Sequence, residues 1–133
     1  MNAENRVAVS VFNSLAERIT RWAQAKGFWD QPEPVRTLCE ADPEVNRFIN
    51  NLIKSQKQML VVTEGAELIE GLRKPTEAND HDPEAFTNEE VEIADQMIRL
   101  LDYAGHFRLR IGECILAKME KNEARPHRHG KSF

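Results

Sequence analysis

Apolar residues recur along this chain at intervals of three and four, and no stretch alternates apolar with polar residues as a half-buried strand would. Phe12, Leu15, Ile19 and Trp22 keep the helical interval between about Val9 and Lys26, and Gly27 follows where a left-handed residue would close a helix. A second helix is expected from Asp42, as N-cap, and Pro43, as first-turn proline. It passes through Phe48, Leu52, Ile53, Leu60, Glu64, Glu67 and Leu72 until Pro75, a length that leaves room for a bend or break near Ser55. The intervening segment 28–41 carries Pro32 and Pro34 and reads as irregular. KPTEANDHDPEAF, from Lys74 to Phe86, is polar with two prolines and reads as a loop. Thr87 and Glu90 then form a capping-box pattern, which starts a third helix near Asn88 and carries it to about Phe107. A short connection around 108–111 leads to a last helix ending near Asn122, and Pro126 turns the tail out of it. The expectation is an all-α bundle of four to five helices, one domain over 1–133, with 119–133 as a basic tail closing a site.

The length of 133 residues suits one core, and the net charge of −4 excludes a whole-molecule attraction for nucleic acid or an anionic membrane. No apolar run approaches the roughly 18 residues that span a bilayer, and MNAENRVAVSV has no signal-peptide core. A soluble, cytoplasmic protein is expected, with neither nucleic acid nor membrane as partner. Cys39 and Cys114 lack metal-binding spacing and read as reduced, buried thiols.

The stretch EIADQMIRLLD, Glu92 to Asp102, poses the functional question. Val91, Ile93, Ala94, Met97, Ile98, Leu100 and Leu101 fill about half of its helical circumference, and Asp95 and Asp102 border that half directly. Glu92 and Asp95 stand one turn apart, as Glu64 and Glu67 do on the preceding helix. Two such helices facing each other would bring four carboxylates together, a cluster that persists only if cations neutralise it. Oxygen ligands favour hard ions, hence Mg²⁺ or Mn²⁺. The same spacing at Glu67 with Glu70, Glu89 with Glu92, and Glu120 with Glu123 shows how readily a solvated surface generates it. The core-edge position separates the two chosen pairs from that background. Lys118, Lys121, Arg125, Arg128 and Lys131, with His127 and His129, supply the opposite charge, either for phosphate oxygens or as a solubilising tail. Trp22, Phe28, Trp29 and Phe48 are stacking surfaces for a base or, equally in kind, core.

Three blocks in order, KQMLVVTEGAELIEGLRK, EEVEIADQMIRLLDYAG and KMEKNEARPHRHGKSF, preceded by WAQAKGFW, resemble the MazG-like all-α nucleoside triphosphate pyrophosphohydrolases from Trp22 to Phe133. The family pattern of ExxE on one helix and ExxD on the next is matched by Glu64, Glu67, Glu92 and Asp95. The resemblance implies hydrolysis of a (d)NTP between the α and β phosphates, giving the monophosphate and pyrophosphate. It implies that Glu64, Glu67, Glu92 and Asp95 hold Mg²⁺ or Mn²⁺, and that one helix-2 glutamate, Glu64 before Glu67, orients or deprotonates the attacking water. Lys57, Lys118, Lys121, Asn122 and Arg125 are the implied phosphate contacts. Among the aromatics Phe48 leads as base contact, with Trp22 and Trp29 behind it. The base stays open, since phage members deplete a single dNTP such as dGTP and helical relatives include dUTP and dCTP hydrolases.

Two positions differ from the family pattern. Thr63 stands where many members carry a further glutamate, which leaves the number of metal ions open, and Arg108 stands where a glycine is frequent. Asp102 has two readings, a metal-related acid or a structural partner for a basic residue. Family members form homodimers or dimers of dimers with active sites near subunit contacts, so a homotetramer is expected. The rival reading is a non-enzymatic helical interaction or scaffold protein whose acids are surface charge.

Overall fold

A computed structural model describes residues 2–73 and 86–126. Among the described residues there are five helices and no strand: α1 (Ala3–Ala25), α2 (Glu33–Ala41), α3 (Pro43–Arg73), α4 (Asn88–His106) and α5 (Ile111–Glu123). The expected all-α bundle is therefore observed. The loop expected after Lys74 lies outside the described residues except for Phe86, as does the tail beyond Pro126.

Several boundaries have a local cause. The Asn2 side chain accepts the Asn5 N–H at 2.8 Å, so α1 begins earlier than its apolar spacing indicates. At its other end Gly27 adopts φ 77°; its N–H reaches the Gln24 carbonyl and the Phe28 N–H reaches that of Ala23. This is the Schellman arrangement, and Phe28 meets Trp22 edge-on at 5.7 Å to complete it. Segment 28–41 is not irregular throughout, because its second half is α2. Pro32 is the N-cap and Pro34 lies in the first turn, where a missing N–H costs no intrahelical bond. Asp42 caps α3 through the Glu44 and Val45 N–H groups. No break occurs at Ser55, whose hydroxyl is absorbed by the Asn51 carbonyl at 3.0 Å within the helix. At 31 residues α3 is roughly 46 Å long. Thr87 and Glu90 form the expected capping box, and those bonds hold the Glu90 carboxyl below the usual range. A second Schellman turn ends α4, with Arg108 at φ 52° in the position that glycine would take without strain.

α4 lies between α3 and α1; α5 packs on α1, and α2 on α3. The α1–α4 seam is built from small residues. A side chain at Gly105 would strike Thr20 Oγ1 and come within 2.7 Å of the Ala16 carbonyl oxygen. The Thr20 hydroxyl donates across the seam to the Asp102 carbonyl at 3.0 Å. The buried apolar set consists of Ala16, Ala23, Leu101 and Ala104, and no large side chain among the described residues is fully enclosed. Instead Leu15, Ile19, Trp22, Met97, Ile98 and Leu101 line an apolar groove of 490 Å³ along α1 and α4. The cysteines are not buried as expected: Cys39 is half-buried and Cys114 exposed, α5 packing chiefly on α1 among the described residues. No described helix is long and apolar enough to cross a membrane.

Candidate metal centre and its surroundings

The pairing of α3 with α4 aligns the two acidic stripes. Glu64, Glu67 and Glu92 each contribute a carboxylate oxygen to a group in which all lie within 4.8 Å of one another. Glu64 is 6 % exposed, Glu92 is half-buried and Glu67 faces solvent. Three hard oxygen donors open to solvent on one side fit Mg²⁺ or Mn²⁺, which keep water in part of their coordination sphere. Asp95 lies one turn beyond Glu92, does not belong to that convergent trio, and has an interaction of its own.

Arg99 completes this face. Its Nε–H donates to Glu64 Oε1 at 2.9 Å, and the arginine side chain is 39 % exposed. A charge-assisted bond of this kind offsets the cost of enclosing the Glu64 carboxylate. The sequence carried a signal for it: Glu92, Asp95, Arg99 and Asp102 follow at three, four and three, so one cation stands within the row of acids.

Asp102 belongs to a different cluster. Both of its oxygens accept the Trp29 indole N–H, at 2.9 and 3.0 Å, and the residue is only 8 % exposed. The His106 ring stacks on Trp29 with centres 3.4 Å apart and planes 6° from parallel. Lys57 donates to the Phe28 carbonyl at 2.7 Å and places its ammonium 4.1 Å from the centre of the Trp29 ring. Burial lowers the Lys57 pKa, partly opposed by the negative charge of Asp102. Burial also lowers that of His106, again against Asp102. Of the two readings of Asp102, the structural one describes its contacts, with an indole as the partner.

The remaining expected contacts are dispersed. Trp29 lines a 650 Å³ recess with Asp30, Gln31, Arg36, Cys39, Glu40 and Asn46. Trp22 is half-exposed on the apolar groove, and Phe48 is 62 % exposed near the start of α3. Sixteen residues of unbroken helix separate Phe48 from Glu64, roughly 24 Å. Lys118, Lys121, Asn122 and Arg125 are exposed at the end of α5, which packs on α1 and makes no comparable packing with α3. Among the described residues the acids thus stand on α3 and α4, and these side chains on α5. No family model, curated protein or solved structure matches the chain.

Proposed function

We propose that the protein is a metal-dependent nucleoside triphosphate pyrophosphohydrolase of the cytoplasm, releasing a (d)NMP and pyrophosphate. The observation that carries this reading is the convergence of Glu64, Glu67 and Glu92 from two facing helices. A bound Mg²⁺ or Mn²⁺ would draw charge from the phosphates and lower the pKa of a water. Glu64, Glu67 and Glu92 would hold the ion, with Asp95 one turn beyond Glu92 on α4. Glu67, the solvent-facing member, would accept the proton of the attacking water, because Glu64 is enclosed.

Base recognition belongs to Trp29 and its recess rather than to Phe48 of the same chain. Lys57 stands about two turns of α3, roughly 10.5 Å, before Glu64 with its ammonium against the Trp29 ring, whereas Phe48 lies beyond the reach of a nucleoside. Gln31 and Asn46 offer amide donors and acceptors for a base edge in that recess. The cations of α5 serve the triphosphate held by another protomer of a homotetramer, whose contacts cover the apolar groove.

The test is incubation with Mg²⁺ or Mn²⁺ and each common NTP and dNTP, with separation of mono-, di-, pyro- and orthophosphate. Monophosphate with pyrophosphate is expected. Glu67→Gln should abolish turnover while leaving the fold intact, since Glu67 is exposed. Metal-induced thermal stabilisation, about 2.7 kcal/mol at an ion concentration of 100 times Kd, should largely disappear with it. Full turnover in the variant would remove the assignment. Absence of both turnover and metal response in the wild type would favour the scaffold reading.

A further inference from the structure

Resting on that reading, we propose that Arg99 occupies the acidic centre as its internal counter-ion, and that metal loading is an exchange in which Glu64 gives up Arg99 for the incoming ion. Glu64 is the most enclosed of the converging acids, and the oxygen Oε1 that Arg99 binds belongs to the carboxylate that faces Glu67 and Glu92. Enclosing that carboxylate beside two others is costly without a positive charge, and the guanidinium supplies one from within the fold. The arrangement is reversible by construction. Arg99 is more than one-third exposed, sits on the rim of the half-apolar face of α4, and reaches Glu64 through a flexible stem. An ion taking Glu64 must displace that hydrogen bond or share the carboxylate with a like charge, which raises the free energy of metal binding to the protein alone. A metal ion already carrying phosphate offers Arg99 a replacement anion, so the exchange favours the metal–nucleotide complex over the bare ion. Arg99 is thus a positioning residue that sets when the centre fills.

The experiment is Mn²⁺ binding to the full chain without nucleotide, by calorimetry, for the wild type, Arg99→Gln and Arg99→Lys. Removing the competitor should tighten Mn²⁺ binding roughly 10-fold in Arg99→Gln, the lower end for a charge-assisted hydrogen bond because Arg99 is partly exposed. Arg99→Lys, which keeps the charge but not the guanidinium fork, should fall between the two. Equal or weaker binding in Arg99→Gln overturns the exchange while leaving the hydrolase reading standing. Absence of Mn²⁺ uptake by both the wild type and a folded Arg99→Gln overturns both. Should Arg99→Gln not fold, the wild type still decides. The arginine Nε–H resonance that is missing from Arg99→Lys should lose its protection from solvent exchange as Mg²⁺ is added, and a resonance unmoved at saturating Mg²⁺ overturns the proposal.

Discussion

The Trp29 indole N–H points between the two carboxylate oxygens of Asp102, 2.9 and 3.0 Å away, and so ties the α1–α2 connection to the C-terminal part of α4. Asp102→Ala leaves that N–H without its acceptor in a half-buried site. The expected cost is about 1–3 kcal/mol, read from the urea midpoint, with Mn²⁺ affinity little changed. A loss of metal affinity of about 10-fold or more would instead put Asp102 in the support of the metal centre.

Acid should loosen the same corner. Burial holds His106 below its ordinary pKa of 6.5, the neighbouring Asp102 opposing and Lys57 adding to the shift. The unfolded chain takes up a proton near 6.5, while the folded protein does so only at lower pH. The neutral ring's contribution is therefore complete above 6.5 and is lost as pH falls through and below that value. On acidification the melting temperature of the wild type should fall relative to that of His106→Phe, since phenylalanine keeps the stack without the proton. A constant difference across the range would refute this coupling.

The groove along α1 and α4 should be closed by another copy of the chain. Trp22, 50 % exposed, lies in it beside Met97 and Ile98. The wild type should sediment as a tetramer of the 15.3 kDa chain at micromolar concentration, and Trp22→Glu should lower that mass while retaining helical circular dichroism. A wild-type species of 15.3 kDa would refute the assembly.

Arg108 holds φ 52° at the end of α4. Replacement by glycine removes a backbone conformation that costs a residue with a Cβ about 1–2 kcal/mol, partly offset by the greater freedom of glycine when unfolded. A net stabilisation of about 0.5–1 kcal/mol is expected from urea unfolding, and a destabilised variant would show that the arginine side chain contributes more than the backbone strain removes.

The helices that carry the acids were legible because their signals are local. Asp42 with Pro43 and Thr87 with Glu90 set two starts, and Gly27 set one end. α2 was hidden because Pro32 and Pro34 argue against a helix everywhere except at its first turn, where they stand. Of the four acids singled out by spacing, Glu64, Glu67 and Glu92 converge. Spacing gives a residue's face but not its rotamer or its distance across a helix pair, which is why it did not separate Asp95 from them. It also missed the Arg99–Glu64 bond, because a cation at the edge of an apolar stripe reads as solvated until the facing helix is in place. The cysteines failed for a related reason: apolar neighbours in sequence imply enclosure only where another layer covers them.

Gly105 makes the α1–α4 seam a matter of tolerances. With the Thr20 hydroxyl and the Ala16 backbone both against Gly105 there, the two helices have little room to absorb an error. Glu92, Asp95, Arg99 and Asp102 all ride on α4. A methyl group at position 105 would act as a wedge under the rail that carries them, shifting the whole row against Glu64 and Glu67 by the same displacement.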